Sequence, residues 1–244
     1  MPPGAPDPIY RTFMDNSQFS LPPVAIKLLV ALIIIQAIRA ILPPEFDLYL
    51  VFFLGFDLFR GGELNLIWLY GAVTSVFVHG GWLHLLSNAT WMVVLSPQIF
   101  PHLEGKRFLI FFVATGAAGA LTHALLNWGQ SQILVGASGG VFGLLGAGAY
   151  VMIRGRDGFS KPTAKDFAQY ILVMMIVNVG YAVLSDGNVS WEAHAGGFFA
   201  GLALFPFMRG RGYRRSAYSS SGLREPTRRQ SCCASAWSTD AGFS

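Results

Sequence analysis

The chain has 244 residues, of which 53% are hydrophobic and only 12% charged, and its mean hydropathy is +0.48. Soluble domains carry roughly 25% charged residues, so a soluble enzyme is excluded, and the apolar runs are long enough for bilayer helices of about 20 residues each. The formal net charge of +4 does not point to nucleic acid, because the basic residues gather in short loops and in the tail, where they signal orientation.

Residues 1–22 form a Pro-rich, polar leader with no apolar run before Pro22. It resembles neither a cleavable signal peptide nor an Arg-rich transit peptide. A first span is predicted over 24–42, with Lys27 and Arg39 near its ends, and Pro43-Pro44 stops it. Residues 45–69 contain the apolar run Tyr49-Leu50-Val51-Phe52-Phe53-Leu54, interrupted on either side by Asp47, Asp57, Arg60 and Glu63. Each apolar piece is too short to cross, so the segment reads as an amphipathic loop lying in the membrane interface, aromatic side down.

Further spans are predicted over 82–100 and, after the charged turn Glu104-Gly105-Lys106-Arg107, over 108–128. The fourth begins near Ser138 and ends by Arg154, which is roughly 24 Å of helix against a hydrocarbon core of about 30 Å. Such a helix fits if its start is submerged and the non-helical backbone at 129–137 lines a water-filled cavity. Spans over 167–184 and 193–208 follow, then a Ser-, Arg- and Gly-rich tail whose composition predicts disorder. The expected fold is an all-α polytopic membrane protein with six transmembrane helices and a short, submerged fourth. Its expected parts are a leader at 1–22, a membrane domain at 23–209 and a tail at 210–244. Cys232 and Cys233, adjacent in that tail, imply no disulfide framework.

Lys106, Arg107, Arg154, Arg156, Lys161 and Lys165 follow the second and fourth spans, and Arg209, Arg211, Arg214 and Arg215 follow the sixth. The loops after span one and around Asp186 and Glu192 are acidic. Positive-inside orientation then places both termini in the cytoplasm. His79, Ser138 and His194 all fall at the opposite, outer level.

These three positions belong to the motifs that carry chemistry. In Gly136-Ala137-Ser138-Gly139-Gly140-Val141-Phe142-Gly143 a serine heads a glycine-rich apolar helix; alone, it reads as a packing residue. His79-Gly80-Gly81-Trp82-Leu83-His84-Leu85-Leu86-Ser87-Asn88 and Glu192-Ala193-His194-Ala195-Gly196-Gly197 add imidazoles to hydrophobic segments, where ionisable groups point to function. A serine hydroxyl needs a base, and His194 is the candidate for Ser138. Ala193, Gly197 and Gly201 on span six, and Gly139 and Gly143 on span four, repeat at four-residue spacing. Such small-residue stripes let helices in lipid approach closely. The amide of Ser138, at a helix N-terminus, can face a developing oxyanion, and His84 and Asn88 share a helix face as further donors. His79 is expected in the preceding loop with a structural role, and His123 and Asn127 as packing or hydrogen-bonding residues. His102 and Glu104 lie at the inner end, away from the site. Glu192 is too near His194 in sequence to share its face and Asp186 lies in a loop, so a dyad is expected, not a triad.

Over about 64–207 these motifs resemble the rhomboid family of intramembrane serine proteases: Gly136-Ala137-Ser138-Gly139, the His79/His84/Asn88 spacing, and Ala193-His194-Ala195-Gly196-Gly197 followed by Gly201. The resemblance implies Ser138 as nucleophile, His194 as general base, and an oxyanion hole of His84, Asn88 and the Ser138 N–H. Gly136, Gly197, Gly201 and His79 would support the site, and Phe142 would stack on His194 where the family often has tyrosine. It further implies a six-helix core, no cofactor or metal, and transmembrane protein substrates in the lipid bilayer with small or helix-breaking residues. Many relatives carry a Trp-Arg pair in the first loop; the corresponding stretch here is Tyr70-Gly71-Ala72-Val73-Thr74. The rival readings are a rhomboid-like protein that recruits membrane helices without cutting them, and a small transporter or channel. The absence of a targeting segment leads to the expectation of a bacterial plasma membrane.

Overall fold

The computed structural model describes residues 21–103, 105–154 and 189–210, with a few helical positions between 168 and 180. The described residues form seven α-helices joined by short 3-10 turns, and one isolated antiparallel bridge, Phe56 to Leu134.

Helix α1 (Pro23–Ile41) opens on a proline in its first turn, where the missing N–H costs nothing. It buries Ala25, Leu28, Leu29, Leu32, Gln36 and Arg39, a stripe at three- and four-residue spacing. Ile26, Val30, Ile33, Ile34 and Ile38 cover the opposite, exposed face. Helix α2 (Pro44–Leu54) starts directly after the Pro43 break and buries no residue. From Gly55 the chain passes through 3-10 turns at Arg60–Gly62 and Leu66–Tyr70, helix α3 (Gly71–Thr74) and a last 3-10 turn at Ser75–Phe77. Within this stretch the carbon of the Arg60 guanidinium lies over two rings that meet edge to face, 3.9 Å from the Phe52 centroid and 3.8 Å from that of Trp68. A tryptophan and an arginine therefore meet here although the stretch Tyr70-Gly71-Ala72-Val73-Thr74 holds no Trp-Arg pair. Burial lowers the pKa of Arg60.

Helices α4 (Trp82–Ile99), α5 (Lys106–Leu126), α6 (Ser138–Arg154) and α7 (Trp191–Met208) build the body. Their shared core is rich in aromatic side chains: Phe108, Phe111, Phe112 and Phe205 are fully buried with Leu103 and Leu144, and Phe112 lies against Gly140 of α6. Between α6 and α7 the contact is made by small residues. A Cβ on Gly197 would strike the Gly139 carbonyl, and one on Gly201 the Gly143 carbonyl. The backbones of α6 and α7 thus touch along the two glycine stripes, as the spacing predicts.

The predicted spans at 24–42, 82–100, 108–128 and 138–154 coincide with α1, α4, α5 and α6 within two residues at each end. The sixth starts at Trp191 instead of 193, because the Ser190 hydroxyl accepts the Ala193 N–H at 3.3 Å and caps the helix. Most of the predicted fifth span, residues 1–20 of the leader, the tail after Gly210, Glu104 and Asp186 lie outside the described residues. Among the described residues, Pro23–Ile41 and Lys106–Leu126 are long and apolar enough to cross a membrane. Leu66–Phe77 and Trp82–Ile99 pass together as a pair bent by 75°, and Ser138–Ile153 is apolar but shorter.

Candidate active site

The backbone ahead of Ser138 is held on three sides. Phe56 N–H donates to Leu134 O at 2.9 Å, and Leu134 N–H donates back at 2.8 Å. Gly136 N–H donates to Ser75 O at 2.9 Å, and Ala137 N–H reaches His79 Nε2 at 3.4 Å. Gly136 has φ +127°, and a Cβ there would stand 2.6 Å from Cε1 and Nε2 of His84. Both the conformation and the contact require glycine. Helix α6 then begins at Ser138, which is half-buried. Its free first-turn N–H groups lie at the positive end of the helix dipole.

His194, in the first turn of α7, is 7% exposed. The Phe142 ring, four residues after Ser138 on α6, is stacked on it at 4.2 Å between centroids and 8° between planes. The glycine contacts explain how two rings on separate helices come so near. Gly139 follows Ser138 directly and Gly197 is three residues after His194, so one of the places where the two backbones touch lies beside both.

His84 and Asn88 occupy successive turns of α4. The His84 ring lies against Gly136, and its Nδ1 accepts the Gly80 N–H at 3.3 Å. A neutral imidazole that accepts at Nδ1 carries its proton on Nε2, the atom beside the Ser138 loop. Asn88 is buried and donates one Nδ2–H to its own helix at His84 O, 3.1 Å away; the amide has a second N–H. His79 is fully buried in the loop before α4, and its ring accepts the Ala137 amide.

The Glu192 carboxylate turns to α5. Asn127 Nδ2 donates to Oε1 at 3.3 Å, the Ser190 hydroxyl donates to Oε2 at 3.1 Å, and His123 Nδ1 lies 3.7 Å from Oε2. His123 and Asn127 are thus hydrogen-bonding residues, as their positions suggest. Among the described residues no group of three His, Cys, Asp or Glu side chains is placed to hold a metal ion. Sequence reasoning missed one connection to this site. Arg39, read only as a charge near a span end, is 7% exposed and donates to the His79 carbonyl. The signal available was a charged residue just before a Pro-Pro break with Asp47 just after it.

Residues 68–211 match the Rhomboid domain family model. The chain is 27% identical over 132 residues to RHOMBOID-like protein 5 of Arabidopsis thaliana, covering 54% of this chain and 41% of that protein. It is 34% identical over 139 residues to Rhomboid-like protease 5 of Toxoplasma gondii, covering 57% of this chain and 16% of that protein. It is 29% identical over 136 residues to Rhomboid protease GluP of Bacillus subtilis (strain 168), covering 54% of this chain and 25% of that protein. The matches therefore span less than half the length of each of these relatives. A family match across more than half of the chain, on helices apolar enough for a bilayer, makes this chain a multi-pass membrane protein of the rhomboid family.

Proposed function

We propose that the protein is an intramembrane serine endopeptidase that hydrolyses peptide bonds in or near transmembrane segments through a Ser138–His194 dyad. The observation that carries this reading is the stack of Phe142 on His194 at the point where α6 and α7 touch, one turn from Ser138. Packing there fixes the imidazole plane, a task that an acid performs in a triad.

In the proposed reaction Ser138 Oγ attacks the scissile carbonyl carbon while His194 takes the hydroxyl proton. The carbonyl oxygen becomes an oxyanion and receives hydrogen bonds from the Ser138 amide, His84 Nε2–H and the second Nδ2–H of Asn88. Collapse breaks the C–N bond, and the proton on His194 passes to the leaving amine. Water, deprotonated by the same imidazole, then releases the acyl group from Ser138. A helical substrate hides its carbonyls in intrachain hydrogen bonds, so small or helix-breaking residues near the cut are part of the proposal. So are six membrane crossings, a submerged α6, a site near the outer face and cytoplasmic termini.

The test is cleavage of a model single-span substrate by purified protein in detergent. Wild type should cut, and folded Ser138→Ala and His194→Ala should not. A fluorophosphonate probe should label Ser138. If wild type neither cuts nor takes the probe, the dyad reading is wrong and the recruiting, non-cutting reading replaces it.

A further inference from the structure

Arg39 and Asp47 sit on either side of the Pro43-Pro44 corner, in the last turn of α1 and the first turn of α2. Each is at the helix end whose dipole favours its charge. The corner brings them together as a forked pair: Nε to Oδ1 at 2.6 Å and Nη2 to Oδ2 at 3.1 Å. The remaining nitrogen, Nη1, donates to Gln36 Oε1 at 3.3 Å and, by a short bond, to the backbone carbonyl of His79. A guanidinium buried this deeply is costly unless charge and hydrogen bonds compensate it. Here Asp47, Gln36 and His79 together supply both.

His79 carries the connection onward. Its carbonyl is held by Arg39, its ring accepts the Ala137 amide at 3.4 Å, and the same ring meets His84 edge-on at 5.2 Å. Ala137 directly precedes Ser138. A contiguous set of polar contacts therefore runs from α2, a helix with no buried residue, through Arg39 and His79 to the residue before the proposed nucleophile. Arg39 has geometry for this that lysine lacks, because only a planar fork can grip a carboxylate with one edge and a carbonyl with another.

We infer that Arg39 is a positioning residue for Ser138: paired with Asp47, it makes the placement of the nucleophile loop depend on the placement of the exposed helix α2. The inference rests on reading Ser138 as the nucleophile. When α2 shifts, the Asp47 carboxylate shifts with it. Arg39 then loses its grip on the His79 carbonyl, and the Ala137 amide loses its fixed acceptor. Energetic coupling of this kind requires such a continuous physical path.

The experiment compares the full chain in detergent micelles with Arg39→Gln, the milder Asp47→Asn, and Phe108→Leu, a control in the buried core away from the site. Three quantities are read: the rate of fluorophosphonate labelling at Ser138, amide hydrogen exchange in peptides covering 133–140 and 191–208, and the melting midpoint. Arg39→Gln should slow labelling by about ten- to a hundredfold, the penalty of a nucleophile displaced by a fraction of an ångström to an ångström. It should speed exchange at 133–140 and leave 191–208 unchanged. Asp47→Asn should move both readouts the same way by less, and Phe108→Leu should lower the midpoint without moving either. Unchanged exchange at 133–140 in Arg39→Gln and Asp47→Asn overturns the link. If wild type is not labelled at all, the nucleophile reading fails, and exchange still decides whether α2 and the loop are coupled.

Discussion

The ring of Phe142 lies flat on the ring of His194, 4.2 Å away and tilted by 8°. Offset or stacked aromatic pairs contribute about 0.5–1.5 kcal/mol beyond the area they bury, and a phenyl face also favours the imidazolium that forms when His194 accepts a proton. Phe142→Ala should therefore lower kcat by about tenfold or somewhat more, at 1.36 kcal/mol per factor of ten, with KM little changed. Phe142→Tyr keeps the ring and should keep most of the rate. Equal loss in both variants, measured on a single-span substrate, would argue that the stack is incidental.

The two proposed side-chain donors to the oxyanion can be separated from general packing. Removing one such donor costs roughly a hundred- to a thousandfold in kcat, so His84→Ala and Asn88→Ala should each do so with fluorophosphonate binding in the same order. Gly136→Ala should imitate His84→Ala, because its Cβ would press on the His84 ring and its φ of +127° disfavours any side chain. The double variant Gly136→Ala/His84→Ala should then be no slower than the worse single one. Additive losses in that cycle would mean that Gly136 acts on Ser138 independently of His84.

Much of this was legible in the sequence because periodicity and chemistry agreed. Pro43-Pro44, the turn at Gly105-Lys106 and the glycine stripes each signal a boundary or a contact by mechanisms local to a few residues, and four predicted spans match helices. The Ser138 and His194 motifs stood out because ionisable groups are rare in apolar segments. What the sequence hid were contacts between distant residues. Arg39 and His79 are separated by 40 positions and meet through a backbone carbonyl, which leaves no trace in side-chain pattern. Segment 45–69 hid its structure for a related reason: Arg60 packs on Phe52 and Trp68 across the segment, contacts that follow no period.

That Arg60 contact makes its own prediction. The guanidinium carbon lies over two nearly perpendicular rings, and its hydrogen bond to the Gly55 carbonyl is long at 3.5 Å, so the ring contacts carry most of its interaction. Each cation–π contact is worth about 0.5–2 kcal/mol, and the compact ammonium of a lysine cannot cover two rings as the broad guanidinium does. Arg60→Lys and Arg60→Ala should both leave the loop at 55–66 more open to limited proteolysis, Arg60→Ala more so. The bundle helices should stay protected. Unaltered proteolysis would show that the loop is held without Arg60, by contacts such as the Phe56–Leu134 bridge and the Ser131–Asp57 hydrogen bond.

The contact between α6 and α7 gives the sharpest structural prediction. Gly197 faces the Gly139 carbonyl with no room for a methyl group, and Gly201 faces Gly143 in the same way one turn further along. Backbone cannot move aside as a flexible side chain can, so Gly197→Ala must push the helices apart. Overpacking of this kind costs about 1–3 kcal/mol, which should appear as a lower melting midpoint in either variant. Their effects on chemistry should differ with distance. Gly197 is three residues from His194, and separating the helices there pulls the imidazole from Ser138, so probe labelling should fall by about a hundredfold. Gly201 is a turn further along, where separation tilts α7 and shifts His194 less, so Gly201→Ala should lose stability comparably and labelling less. Measured side by side, equal labelling at equal loss of stability would mean that helix spacing does not set the Ser138–His194 geometry.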